Sequence, residues 1–230
     1  MKRKSAAAVA LTAAAIATAL YFTSTPGQSS AMTASQADQL ALARFNDYQN
    51  GVTALEATIP ISDQNFHVTG RVDWHSHLGY ATLAAPQPAG GTELLQWSPN
   101  GIAVRGSWTA RLPAAPPPDG WTLRSWQPGA DLDTALQLIL DLGSDRPENS
   151  QLLQRSGATV LRQDTFAGTT VTVFTGPPDA ATATPHTRYW ITPDGTLRRF
   201  EALVNGSPTW TRVDLTPGPA PAIPHIPGMQ

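Results

Sequence analysis

The sequence predicts an α+β domain built on an antiparallel sheet. Three observations predict it. Apolar residues recur at helical spacing over Ala41–Val52 and Leu132–Leu140. Between and after these stretches, apolar and polar residues alternate at period two. Gly, Pro and Asn clusters punctuate the alternating runs at intervals that suit hairpins rather than crossovers.

In chain order, Ser35 with Asp38 three residues later reads as a helix start, and Ala41, Phe45, Tyr48 and Val52 continue it to the Asn50-Gly51 stop, so the spacing predicts a helix over 35–49. Leu55, Ala57 and Ile59 then alternate with Ala54, Glu56 and Thr58. Phe66, Val68, Gly70, Val72 and Trp74 share one face of the next run, with His67, Thr69, Arg71, Asp73 and His75 on the expected solvent face. Further strands are predicted at Tyr80–Ala84, Glu93–Trp97 and Ile102–Arg105, divided by Leu78-Gly79, Gly90-Gly91 and Pro99-Asn100-Gly101. Four prolines between Leu112 and Gly120 cannot donate to a ladder, so that stretch is read as an ordered cover bracketed by Trp108, Trp121 and Trp126. Leu132, Leu136, Ile139 and Leu140 predict an amphipathic helix with Asp131 as cap and Gly143 as stop. Pro147 and Glu148 open a shorter one ending near Gly157. Strands follow at Thr159–Arg162, Thr169–Phe174, Arg188–Thr192, Leu197–Val204 and Thr209–Leu215, with hairpin turns at Pro193-Asp194-Gly195 and Asn205-Gly206. The tail from Pro217 is proline-rich and is read as disordered.

The N-terminus is an export signal in layout. Lys2-Arg3-Lys4 precedes an uncharged run, Ala6–Phe22, and Ser29-Ser30-Ala31 offers a small-x-small cleavage site. Residues 1–31 are therefore a removable signal or, if uncleaved, an N-terminal membrane anchor. Either way the rest lies outside the cytoplasm, secreted or held at the membrane. The chain has 230 residues, of which 41% are hydrophobic and 14% charged, and no cysteine. That excludes a disulfide scaffold, a thiolate zinc site and a lipid-modified cysteine. Removing the three N-terminal cations from 15 Lys and Arg leaves 12 against 17 Asp and Glu, a net charge of −5. No nucleic-acid partner is expected on such a surface.

No G-x-S-x-G, P-loop, H-E-x-x-H or G-x-G-x-x-G is present, and no catalytic residue or cofactor is assigned. Asp73, His75 and His77 would share a strand face, and with His67 they are the one candidate metal cluster, set against a reading as solvated surface. The pairs Asp131/Asp133 and Asp141/Asp145 read as caps and exposed helix charges. Asn205-Gly206-Ser207 is a glycosylation sequon whose better-supported role is the turn itself. Seven Trp either fill the core or line a groove for an apolar ligand.

Ala135–Leu140, Ser156–Val160, Phe166–Phe174 and Tyr189–Arg199 carry a family resemblance. This part resembles the second half of actinobacterial exported proteins related to the LppX/LprG lipoproteins, which share the fold of the lipoprotein carrier LolA. Ser35–Arg105 is similar to the first half, so the resemblance covers about 35–215 as one LolA-like domain, with 216–230 outside it. It implies a curved antiparallel half-barrel plugged by short helices, of a kind that holds acyl chains or senses lipoproteins between sheet and helices. On that reading Leu136, Ile139 and Leu140 face the concave side, Val72 and Trp74 face them from the sheet, and these five line the ligand cavity. The chain departs from the family in lacking the acylated cysteine. Three functions follow: a non-catalytic binding protein for a lipid or other apolar ligand, an envelope-sensing module that binds an envelope protein, or a metal-dependent enzyme using the His67–His77 cluster.

Overall fold

The computed structural model of the chain describes residues 29–86 and 91–229. The basic N-region and the apolar run Ala6–Phe22 lie outside the described residues. Among the described residues, no helix is long and apolar enough to cross a membrane.

One antiparallel sheet organises the domain. Its strands are β1 (Ser30–Ala31), β2 (Val52–Ile61), β3 (Gln64–Asp73), β4 (Leu78–Ala84), β5 (Thr92–Ser98), β6 (Gly101–Arg105), β7 (Thr122–Arg124), β8 (Thr159–Phe166), β9 (Thr169–Thr175), β10 (Thr187–Ile191), β11 (Leu197–Leu203) and β12 (Trp210–Thr216). The spatial order is β1-β8-β9-β10-β11-β12-β2-β3-β4-β5-β6-β7, an open sheet in which β12 pairs with β2 and joins the two meanders. The hairpins follow their turn chemistry. Asn205 and Gly206 both have positive φ, and Ser207 N–H donates to Val204 O at 2.8 Å, closing a tight turn between β11 and β12. Asn205 Nδ2 also bonds Gly129 O and Asp131 Oδ1, so its side chain is engaged in the fold.

Three helices lie on the concave face: α1 (Ala34–Asn50), α2 (Asp131–Leu140) and α3 (Ser150–Arg155). The start of α1 differs from the sequence reading by two residues. Thr33 is the N-cap and forms a capping box with Gln36, because threonine oxygen and glutamine amide satisfy each other's backbone N–H groups. Asp131 does not cap α2; the N-cap is Ala130, without a side-chain bond, and α2 ends at Leu140 before Gly143. Asn149, not Pro147, opens α3.

The core is closed by α2. Leu136 and Ile139 are fully buried, with Leu140 beside them, against Val72, Trp74 and Trp97. Trp74 Nε1–H donates to Ile139 O at 2.9 Å, which ties strand end to helix end. Packing here leaves no slack. A Cβ on Gly143 would sit 2.3 Å from Trp74 Cγ, and one on Gly79 would sit 2.1 Å from the Trp97 ring.

Asp133 is buried rather than an exposed helix charge. Arg124 grips both of its oxygens at 2.6 Å, and Gln127 N–H donates to it at 2.8 Å. Burial alone would raise its pKa, but these bonds prevail and hold it below the usual carboxylate value.

The outer face of β3–β6 is only partly a solvent face: His67, Thr69 and His75 are exposed as expected, but the rest is covered. Arg71, read as exposed, is buried there beside Tyr80, its guanidinium 5.2 Å from that ring and bonded to Ala114 O. The proline-rich cover supplies the carbonyl. Trp121 Nε1–H fastens the same cover through Pro117 O at 2.8 Å. The tail beyond β12 also lies on this face. Proline content suggests disorder, yet Ile223, Ile226 and Met229 are buried, because the sheet offers them apolar seats that composition does not reveal.

A candidate ligand cleft between the helices and the second meander

The open space of the concave face lies beside α2, not beneath it. Helix α1 crosses the β10–β11 hairpin. Gln39 Nε2 donates to Thr192 O at 2.7 Å and Asn46 Nδ2 to Asp194 O at 3.0 Å, which fixes the helix over the end of the sheet. The connection from α2 to α3 is laced to α1 by backbone bonds: Ser144 N–H to Arg44 O at 2.9 Å and Glu148 N–H to Ala41 O at 3.0 Å. Arg44 completes the lacing. Its Nε donates to Asp141 O at 2.8 Å and its Nη1 meets Glu148 Oε1 at 3.0 Å.

Under this ion pair is a cavity of about 120 Å³ walled by Leu40, Ala43, Leu153, Pro177, Tyr189 and Leu197. Two open depressions, of about 570 and 440 Å³, adjoin it and share Arg44 and Glu148 as common wall. The walls of the inner cavity are apolar, and its mouth is charged. The Tyr189 ring lies 5.2 Å from that of Phe200, tilted at 49°, and burial pushes its phenol pKa up, so it stays a neutral hydroxyl across the ordinary pH range. Helix α3 covers the cavity lightly. None of its residues is buried, and Leu152 on the rim is 64% exposed.

Asp47 lies on the buried face of α1. One oxygen pairs with the Leu197 backbone and Oδ2 has no partner, so burial raises its pKa well above the usual value.

The five residues expected to line a cavity come together, but as closed packing. Leu136, Ile139, Leu140, Val72 and Trp74 belong to one buried cluster, and none of them borders the three spaces around Arg44. The candidate metal residues do not converge. Strand β3 ends at Asp73, whose oxygens accept from His75 N–H at 3.0 Å and Ser76 Oγ at 2.8 Å to make a turn. His75 stacks edge-on against Tyr48, and His77 has φ 48° and leaves the strand direction. Among the described residues, no three His, Cys, Asp or Glu side chains are placed to hold a metal. Sequence reasoning missed Arg44, Glu148 and Tyr189. The available signal was weak: Arg44 is the only cation of α1, on a helix whose neighbouring positions are apolar.

No family model matches the chain, and no curated protein sequence matches it. Among solved structures, the chain is similar to the lipoprotein LppX of Mycobacterium tuberculosis, with 13% identity and a TM-score of 0.41 over 80% of this chain and 93% of that one. It is also similar to a chain in the MucA/MucB complex of Pseudomonas aeruginosa, with 14% identity and a TM-score of 0.34 over 86% of this chain and 60% of that one. LppX is one of the lipoproteins that the sequence resembles.

Proposed function

We propose that this is a non-catalytic extracytoplasmic binding protein for a lipid or another apolar ligand, received in the cleft under α1 and α3. The observation that carries the reading is an apolar cavity roofed by a lightly held helix, with the Arg44–Glu148 ion pair at its mouth. Ligand sites of this kind are apolar with a few placed polar groups. The cavity of about 120 Å³ is smaller than the roughly 300–1,000 Å³ of drug-sized sites, so it suits the end of one acyl chain; the depression walled by Leu138, Leu142, Tyr189 and Phe200 would take more of the chain, and the polar one beside Arg146 and Asn149 a head group. Arg44 is the group that would meet an anionic or carbonyl head, at the cost of loosening its bond to Glu148. What the cleft brings together is apolar side chains and one ion pair, which supports binding.

The place of action outside the cytoplasm follows from the export-type N-terminus. Extraction of the full chain purified from its own host, followed by mass spectrometry, tests the reading. Near-stoichiometric acyl chains are expected. Protein that carries none, and that takes up none from detergent-free vesicles, would remove the basis for it.

A further inference from the structure

The outer face of the sheet holds an extended peptide, and the way it does so is selective. Gln96, in β5, is fully buried. Its Nε2 donates to Pro224 O at 2.9 Å and its Oε1 accepts from Ile226 N–H at 2.9 Å. One side chain thus satisfies the carbonyl and the N–H of residues two apart, as an adjoining strand would. On either side, Ile223 packs with Leu78 and Tyr80, and Ile226 packs with Ala103, while Trp121 touches both clusters. His225, between the two contact points, remains exposed. Pro224 is exposed too and is held only by its carbonyl, so the groove reads a short pattern: two apolar side chains three residues apart, with extended backbone between them.

The occupant is joined to the sheet by a tether without regular structure. Pro217–Ala222 forms no helix or strand. Seven residue steps from Thr216 to Ile223 span about 22 Å at about 3.1 Å per residue in a proline-rich chain. From β12 across β2 and β3 to β4 is three strand spacings, about 14 Å. The tether is longer than the span it bridges, so its length does not by itself force the segment into the groove.

We propose that this groove is a recognition site for an extended apolar-x-x-apolar segment of a partner protein, and that Ile223–Met229 is its tethered competitor. A tether of this length supplies an effective concentration of about 1 mM, so a free peptide with a Kd of about 0.1 mM would appear about tenfold weaker while the tail is seated.

The probe is a fluorescein-labelled peptide of residues 221–230, titrated by anisotropy into the full-length chain and into full-length Ile223→Asp/Ile226→Asp, whose tail cannot seat. The double variant is expected to keep the wild-type circular dichroism and to bind at least tenfold tighter than wild type. Adding Gln96→Ala should lower that affinity about tenfold, and a peptide carrying the same two Asp changes should not bind. A folded double variant that binds no peptide would overturn the proposal, as would equal binding to both chains. A double variant that fails to fold would also overturn it, because the tail would then be a permanent part of the domain.

Discussion

Replacing Leu136 separates a solid core under α2 from a ligand cavity there. Leu136 is fully buried among Val72, Trp74 and Ile139, and a Cβ on neighbouring Gly143 has no room. Leu→Ala in such a site costs about 2–5 kcal/mol, and the absence of slack places this case at about 3–4 kcal/mol, since little can collapse into the space. For a domain of this size each kcal/mol moves Tm by about 2–4 °C, giving a fall of roughly 6–16 °C. Leu136→Trp overpacks the same site and should cost about 1–3 kcal/mol. Leu153→Ala, on the half-buried wall of the cleft, should cost under about 1 kcal/mol. The assay is thermal unfolding by circular dichroism at fixed pH, with urea midpoints as a check on reversibility. Leu136→Ala and Leu136→Trp that both melt within about 1 °C of wild type would refute the reasoning, and would return the cavity to the five residues first expected to line it.

Two carboxylates should respond to pH with opposite signs. Asp133 is held below its usual pKa, so its contribution is present above about pH 4 and is lost as pH falls through its folded value. Asp133→Asn should cost about 2–4 kcal/mol at pH 7, at the lower part of the range for buried pairs because Arg124 stays 30% exposed, and the cost should shrink in acid. Asp47 has its pKa raised by burial, so the fold keeps a proton there that the unfolded chain releases, and stability falls as pH rises above about 4. Asp47→Asn should therefore gain stability relative to wild type with rising pH; urea midpoints from pH 4 to 8 that track wild type would contradict this. Ser30 and Ala31 pair with Val160 and Thr159, and Met32 is buried, so processing after Ala31 would remove an edge strand from the sheet. N-terminal sequencing of the exported protein should find Ser30 and Ala31 retained.

The meander order, both longer helices and the hairpin turns were legible because each depends on local pattern. Alternation sets which face of a strand is buried, and Asn205-Gly206 has few conformations other than the turn it makes. Helix caps were less legible: Ser35 and Asp131 suit a cap, but Thr33 has its partner Gln36 at the right spacing and Ala130 caps α2 without any side chain. What sequence could not show was contact between distant segments. The burial of Arg71 and Gln96 depends on a cover 43 residues away and a tail 128 or more residues away. Likewise Arg44 meets Glu148 across 104 positions, and nothing local marks either as a site residue. The apolar stripe of α2 was read correctly as buried, but a stripe does not tell a packed core from a lined cavity; only the placement of Trp74 and Trp97 against it does.

The account turns on where an apolar ligand enters, and a fluorescent fatty-acid titration of wild type and Leu153→Trp tests this most directly. The indole should fill the cavity under α3 that Leu153 now walls. Saturable binding to wild type is predicted, together with at least a tenfold loss in Leu153→Trp at unchanged Tm. Wild type that binds no probe, or a Leu153→Trp chain that binds it equally well, would contradict the assignment of the cleft.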